Sequence, residues 1–416
     1  MIAKVKGTQD YIDLKLKKFV INQIIKLLRC YNFLQIQTPI LEHTKLFVRS
    51  LGEKTDVVSK EMYIFQPEKK NSICLRPEAT ASTIRAYIEN RIDQKPWKVF
   101  SFGAMFRHER PQKGRWREFE QFNIEVVDSD SIFQDAHFIK MIDVLFSETF
   151  KLENYVLKLN FLGCFDDRKK HKQELYKYLT NISDQICQTC QDRKETNILR
   201  VFDCKNEDCK KLYLKAPKLT DYLCNDCSVE WNQLKETLQI LSVSFVHATD
   251  LVRGLDYYNK TVFEFVSPEL GSQDAFCGGG RYSLGKQLEE KSEIPSIGAA
   301  IGIGRLLMLI QNNLKKFSLP QEPSLSLIIP MTKEQNNLAL LLAYELQANN
   351  ICTDVLLEDA SLKSRMRKAN KMGAKFVLFI GEDEVKSGTV SVKNMQNGEE
   401  ELIRQVEICP YLKGKS

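Results

Sequence analysis

FRHERPQKGRWREFEQFNIEV (106–126) decides the reading of this chain. Between positions 107 and 118 it carries four arginines and one lysine against two glutamates, set among Phe106, Trp116, Phe119 and Phe122. A solvated face has no use for the aromatics, and a core strand does not tolerate the arginines. The alternation before 106 and after 118 predicts two strands joined by a loop at 111–114, a hairpin that brings Arg107, Glu109 and Phe119 together. A planar guanidinium suits phosphate oxygens, an aromatic face suits a nucleobase, and a carboxylate can accept from an exocyclic amine. The alternative for the same residues is a charged hairpin facing solvent.

Outward from this hairpin the pattern is mixed. An amphipathic helix is expected over 13–29, then an edge or interface strand in FLQIQTPILE (33–42), limited by Pro39. Two strands around a polar turn at 69–72 lead to a helix starting at Thr80. Another helix is expected over 135–150 and a strand over 155–163. Residues 165–245 are Lys- and Cys-rich, helical in pattern and weak in strands, which marks an insertion. Strand patterns return at LVRGLDYYNKTVFEFVS (251–267), followed by CGGGRY (277–282) and SIGAAIGIGRLLMLI (296–310). After a Pro-containing linker near 319–324, strands and helices alternate to the end, the signature of a separate α/β domain with a largely parallel sheet.

Composition sets outer bounds. The 416 residues suit two or three domains, and 43% hydrophobic with 27% charged residues is ordinary for a globular protein. No run of about 18 apolar residues predicts a membrane span, and no secretory leader is expected at the N-terminus. A cytoplasmic protein is the resulting expectation. The net charge of +6 permits a nucleic-acid partner without arguing for one. No GxxxxGK[ST] phosphate loop occurs, and the five histidines lack HExxH spacing, which excludes that kind of catalytic metal site.

Several stretches together resemble the class II aminoacyl-tRNA synthetases, in the form of the histidyl-tRNA synthetase family. The opening hairpin looks like motif 2, FLQIQTPILE like motif 1, and CLRPEATA (74–81) like the segment the family writes LRPEGT, with Ala79 at the glycine. LVRGLDYYNKTVFEF carries the histidine-specific RGLDYY, and GGGRY and GAAIGIGRL are similar to the tyrosine loop and motif 3. The resemblance implies an α+β fold, an antiparallel sheet flanked by helices. It divides the chain into a first catalytic part (1–164), a mostly helical Cys-rich insertion (165–245), a second catalytic part (246–318) and an anticodon-binding α/β domain (325–416).

It also implies the chemistry: a ligase that joins L-histidine to ATP and passes it to tRNA(His), working as a homodimer, with Mg²⁺ carried on ATP. Arg107, Arg253 and Arg305 would be the catalytic cations. Arg107, Glu109, Arg115, Phe119 and Arg305 would bind ATP. Glu78, Thr80, Arg107, Gln121, Glu125, Arg253, Tyr257, Tyr258 and Tyr282 would form the histidine pocket. Arg110 and Gln112 would touch the tRNA acceptor end. Each has a plainer reading: Tyr258 and Tyr282 as core aromatics, Glu78 as a helix-start carboxylate, Arg253 as a structural ion pair. The chain departs from the family at Gly304, usually acidic, and at Ser283, usually aspartate. A non-catalytic paralogue that regulates ATP phosphoribosyltransferase is the alternative; such paralogues typically lose these arginines and the last domain.

Twelve cysteines are many for a cytosolic chain. Two CxxC pairs in the insertion, Cys187/Cys190 and Cys224/Cys227, could complete a structural zinc tetrahedron. Buried, reduced thiols are the preferred reading, since the resemblance defines no zinc site there.

Overall fold

The computed structural model describes residues 2–53, 55–68, 71–253, 255, 257–320 and 323–415. The chain divides into two compact units, Met1–Leu319 and Pro320–Ser416. Strands of the first unit are β1 (Leu34–Gln35), β2 (Leu41–His43), β3 (Ile64–Glu68), β4 (Asn71–Leu75), β5 (Trp97–Phe106), β6 (Glu118–Val127), β7 (Val156–Phe161), β8 (Val246–His247), β9 (Tyr258–Val266), β10 (Ala275–Ser283) and β11 (Pro295–Gly302). Eight of them form one sheet in the order β1-β5-β6-β11-β10-β9-β7-β8. Its six central strands run antiparallel, as expected, while the two-residue edge strands β1 and β8 pair in parallel.

The alternation in the opening stretch explains the sheet's two faces. Successive side chains of a strand point to opposite sides. On β6, Phe122, Ile124 and Val126 therefore enter a core shared with Phe263 and Phe265 of β9 and Ile297 and Ile301 of β11. Helices Lys15–Cys30, Ile132–Val144, Asn225–Ile240 and Ile303–Gln311 cover that face. Phe119, Gln121, Asn123 and Glu125 are left on the opposite face.

One buried ion pair ties the first helix layer to the sheet. Arg281 of β10 is 2% exposed and Asp135 is fully buried. The two are ion-paired, and Arg281 Nε also donates to Asp135 Oδ2 at 3.0 Å while the Thr261 hydroxyl donates to the same oxygen at 2.6 Å. Burial pushes the Asp135 carboxyl up, with Arg281 working against it.

Three expectations change in detail. FLQIQTPILE is not one strand: it splits into β1 and β2 on either side of Pro39, and β2 joins β4 and β3 in a separate three-stranded sheet. The polar turn after β3 includes positions 69 and 70, which lie outside the described residues. Among the described residues of LVRGLDYY only Tyr258 lies in a strand, the start of β9; positions 254 and 256 lie outside the described residues. The insertion is helical, but its last helix, Asn225–Ile240, belongs to the main core through Trp231, Leu234 and Leu238. A small core of its own remains around Leu175, Leu179, Ile198, Val201 and Tyr213.

The second unit holds β12 (Ser326–Pro330), β13 (Thr353–Val355), β14 (Phe376–Ile380), β15 (Thr389–Asn394) and β16 (Glu400–Arg404) in the order β13-β12-β14-β15-β16. Three strands are parallel, and β15 and β16 add an antiparallel edge, so the sheet is mixed where a largely parallel one was expected. Among the described residues no helix is long and apolar enough to cross a membrane.

Candidate active site

A cleft of about 460 Å³ lies on the face of the large sheet that carries Gln121 and Glu125. Arg107, Glu109, Arg115 and Phe119 line it from the hairpin, Arg253 and Tyr257 from the segment before β9, Tyr258 from β9, Tyr282 from β10 and Arg305 from the helix after β11. Glu78, Thr80 and Gln121 complete the wall. Glu125 is 1% exposed and lies beneath the floor.

At one end the side chains form a carboxylate–phenol cluster. The Tyr282 hydroxyl donates to Glu125 Oε2 at 2.7 Å, and the Thr80 hydroxyl donates to Glu125 Oε1 at 2.7 Å. Burial pushes the Glu125 carboxyl up to about 8, although both hydroxyls favour the anion. The ring of Tyr257 stands 4.6 Å from that of Tyr258 and 5.4 Å from that of Tyr282. Glu78 accepts from the backbone N–H of Thr80 at 2.7 Å and of Ala81 at 2.9 Å, at the start of helix Thr80–Glu89. It thus does what a helix-start carboxylate does while also facing the cleft. Burial raises its pKa too.

The other end is an arginine trench. Arg107 donates to the Pro77 carbonyl at 3.0 Å and packs its guanidinium 5.4 Å from the centre of the Phe119 ring. Arg115 is ion-paired with Glu109, and Arg253 with Glu264. Arg305 Nε donates to the Gly114 carbonyl at 2.7 Å, and its Nη2 donates to Gln273 Oε1 at 3.2 Å. Gly114 has a φ of +75°, a left-handed conformation that its lack of a side chain permits. Burial, together with the neighbouring Arg115 and Arg107, lowers Arg305 to about 10, so it stays charged at neutral pH.

Two glycines of the floor are seats for these charges. A Cβ on Gly298 would collide with the Glu125 carboxylate, and one on Gly278 would collide with the Arg253 guanidinium. Gly298 is the cross-strand partner of Glu125, and Gly278 that of Glu264. Gln121 Oε1, Asn123 Nδ2 and Arg253 Nε are buried without a hydrogen-bond partner and belong to cleft residues. Unpaired buried polar atoms are costly, so these three are hydrogen-bonding groups free to meet a polar ligand.

Arg110 and Gln112 lie outside the cleft, exposed on the hairpin loop. The zinc quartet weighed as an alternative for the two CxxC pairs does not form. Cys187 and Cys190 gather with Cys204 and Cys209, whereas Cys224 and Cys227 gather with Cys164 and Asp167. The reason is topological: helix Asn225–Ile240 is committed to the main core, away from the small core that holds Cys190.

Glu264, Trp116 and Asp203 line the cleft without a role assigned to them from the sequence. Glu264 is a carboxylate between Phe263 and Phe265, and an acid inside the apolar run Val262–Val266 was the available signal. Trp116 packs on Gly304, where a Cβ would sit 2.6 Å from the ring. The space for the usual acidic side chain is filled by indole, and Arg305 is oriented by Gly114, Ala275 and Gln273 instead. Asp203 reaches the cleft from the insertion.

The sequence profile of the histidyl-tRNA synthetases matches residues 13–306, and that of an anticodon binding domain matches residues 326–415. The chain belongs to the histidyl-tRNA synthetase family. It is 38% identical over 415 residues to a histidine–tRNA ligase of Clostridioides difficile, covering 99% of this chain and 98% of that one. It is 39% identical to that of a Sulfurovum species, covering 98% and 100%. Among solved structures it is similar to apo histidyl-tRNA synthetase of S. aureus, with a TM-score of 0.81 and 32% identity over 99% of this chain and 100% of that one. An ATP phosphoribosyltransferase regulatory subunit/histidyl-tRNA synthetase from Bacillus halodurans shares the fold, with a TM-score of 0.62 at 17% identity over 92% and 98%. Both family-wide departures, Gly304 and Ser283, leave the cleft arginines in place.

Proposed function

We propose that this synthetase-family chain is a histidine–tRNA ligase. It activates L-histidine with ATP to histidyl-adenylate and pyrophosphate, then transfers histidine to the 3′ end of tRNA(His). One observation carries the reading: a tyrosine-lined carboxylate pocket opens into a trench of four arginines within a single cleft. The pocket suits a small cationic or hydrogen-bonding group, and the trench suits a polyphosphate.

In the first step a histidine carboxylate oxygen bonds to the α-phosphorus as the bond to the bridging oxygen breaks, and pyrophosphate leaves with Mg²⁺. No side-chain nucleophile is needed; positioning and charge stabilisation supply the catalysis. Arg107 and Arg253 hold the α-phosphate and the substrate carboxylate, and Arg305 and Arg115 the distal phosphates. Phe119 stacks on adenine, and Glu109 accepts from its amine once ATP draws Arg115 away. Glu125 and Tyr258 read the imidazole, with Tyr257 and Tyr282 around it, and Glu78, Thr80 and Gln121 take the α-amine. A site that hydrogen-bonds its substrate rejects analogues lacking those groups.

In the second step the terminal ribose hydroxyl attacks the acyl carbon and AMP leaves. A larger cavity of about 1110 Å³ shares Arg253 and Tyr258 with the cleft and is lined by Lys169, Lys172, Lys177 and Lys194. It is a basic approach for an RNA end, with Arg110 and Gln112 at the acceptor stem. The 325–416 domain reads the anticodon. Exposed Leu34, Ile40, Leu41, Ile64 and Phe65 around the motif 1 segment support a homodimer formed there. Twelve cysteines without a disulfide fit the cytoplasm.

The test is histidine-dependent ATP–pyrophosphate exchange on purified protein, with the other nineteen amino acids as controls. Exchange with histidine alone is expected. No exchange with any amino acid, from folded protein with Mg²⁺, would overturn the reading and favour a regulatory role.

A further inference from the structure

The insertion contains a cluster that activation and transfer do not use. Cys187, Cys190, Cys204 and Cys209 present four sulfurs that all lie within 4.8 Å of one another. Two segments supply them in the same way. Cys187 precedes helix Gln188–Thr196, and Cys190 sits in its first turn. Cys204 precedes helix Glu207–Tyr213, which is capped by the Asn206 side chain, and Cys209 sits in its first turn. The CxxC and CxxxxC spacings thus converge as two matching turn–helix pieces.

Distances separate the possible reasons for this grouping. Cys187 Sγ and Cys204 Sγ are 3.8 Å apart. A disulfide would hold them at about 2.05 Å. A tetrahedral Zn²⁺ with Zn–S bonds of about 2.3 Å requires S···S edges of about 3.8 Å. The sulfurs also receive backbone donors: Cys187 N–H donates to Cys209 Sγ at 3.2 Å and Asn206 N–H to Cys204 Sγ at 3.4 Å. Such bonds favour thiolates and orient ligands, the support that metal sites draw from their surroundings. Cys190, Cys204 and Cys209 are at most 6% exposed. They pack beside Leu175, Leu179, Ile198, Val201 and Tyr213 in a core of modest size, where a metal adds to hydrophobic burial.

The second cluster differs. Asp167 Oδ2 accepts from Cys164 N–H at 3.1 Å and its Oδ1 from Cys224 N–H at 2.9 Å. Its carboxylate already ties together the two helix starts there, which is the task a metal would perform.

We propose that Cys187, Cys190, Cys204 and Cys209 bind one structural Zn²⁺ per chain. The metal fixes the short helix Ile198–Asp203 that leads into Cys204. That helix carries Arg200, ion-paired to Asp56 at 3.4 Å, and ends on Asp203 at the cleft. The zinc therefore anchors one wall of the active site from outside it.

The test is metal content of the full chain, expressed with zinc and purified without chelator, by plasma mass spectrometry. The expected result is one zinc per chain in the parent and in Cys227→Ser, and at least a tenfold loss in Cys187→Ser and Cys209→Ser. Metal-stripped parent protein refilled with Co²⁺ should show the d–d and charge-transfer absorption of tetrahedral Co²⁺–thiolate, a readout that does not depend on a variant folding. Zinc-free parent protein that gives no such spectrum overturns the proposal. So does zinc that is lost in Cys227→Ser and kept in Cys187→Ser.

Discussion

Gly304→Ala is a one-carbon perturbation whose effect should appear in ATP use rather than in folding. The added Cβ would stand 2.6 Å from Trp116 Cζ3, 3.0 Å from Cη2 and 3.3 Å from Cε3. Carbon contacts are favourable at about 3.5–4.0 Å, so the indole must retreat by roughly 1 Å. Overpacking of this kind costs about 1–3 kcal/mol. Replacing glycine by alanine within a helix returns up to about 1 kcal/mol, which leaves a net loss of about 0–2 kcal/mol, not enough to unfold a chain of this size. The displaced ring lies next to Arg115, two residues from Gly114, whose carbonyl holds Arg305. About 1.4 kcal/mol transferred to those arginines lowers the rate tenfold. Pyrophosphate exchange should therefore lose about tenfold in kcat/KM for ATP, with KM for histidine changed less than about twofold. In a Trp116→Ala background the same substitution should cost under twofold, a coupling of about 1 kcal/mol. Equal losses in both backgrounds, or no loss in the first, would refute the steric argument. Gly304→Glu, which restores the family's usual charge, meets the same ring.

Three further outcomes follow from the cleft and the core. Phe119→Ala should raise KM for ATP by about 5–100-fold, the range of base–aromatic stacking, and leave KM for histidine nearly unchanged in the exchange assay. Glu125 has a folded pKa of about 8, above its ordinary value of 4.5, so its proton stabilises the fold fully below about pH 4.5 and that contribution is lost as pH rises through 8. Glu125→Gln should accordingly gain on the parent in urea-unfolding free energy between pH 5 and 9, by a few kcal/mol at the top; a constant difference across this range would contradict it. Asp135→Ala strands Arg281, 2% exposed, and should cost about 3–5 kcal/mol in urea unfolding, while a loss under about 1 kcal/mol would show the pair to be dispensable.

The opening hairpin was legible because strand alternation and charge act locally: the apolar positions 122, 124 and 126 alternate with Gln121, Asn123 and Glu125, and that alone assigns two faces. The order of motifs along the chain then placed Arg253, Tyr282 and Arg305 beside them. Contacts between distant segments were not legible. Nothing near Gly304 announces Trp116, and the seats at Gly278 and Gly298 depend on cross-strand register. The grouping of the cysteines was not legible, because CxxC spacing suggests only one of the possible quartets. The partner of Cys187 and Cys190 is a CxxxxC pair, closed by the helix that Asn206 starts, and Cys224 and Cys227 were removed from it by a helix whose Trp231 belongs elsewhere.

The trench is half neutralised from within. Arg115 rests on Glu109 and Arg253 on Glu264, while Arg305 is held by the uncharged oxygens of Gly114, Ala275 and Gln273. An anion arriving at random must displace Glu109 and Glu264 before it engages all four arginines, which handicaps free phosphate and stray stretches of RNA. A nucleotide whose base occupies Phe119 has already secured its foothold, and can spend the exchange of partners one arginine at a time. Selectivity among the cell's many polyanions is thus set by how the cleft is balanced before anything binds.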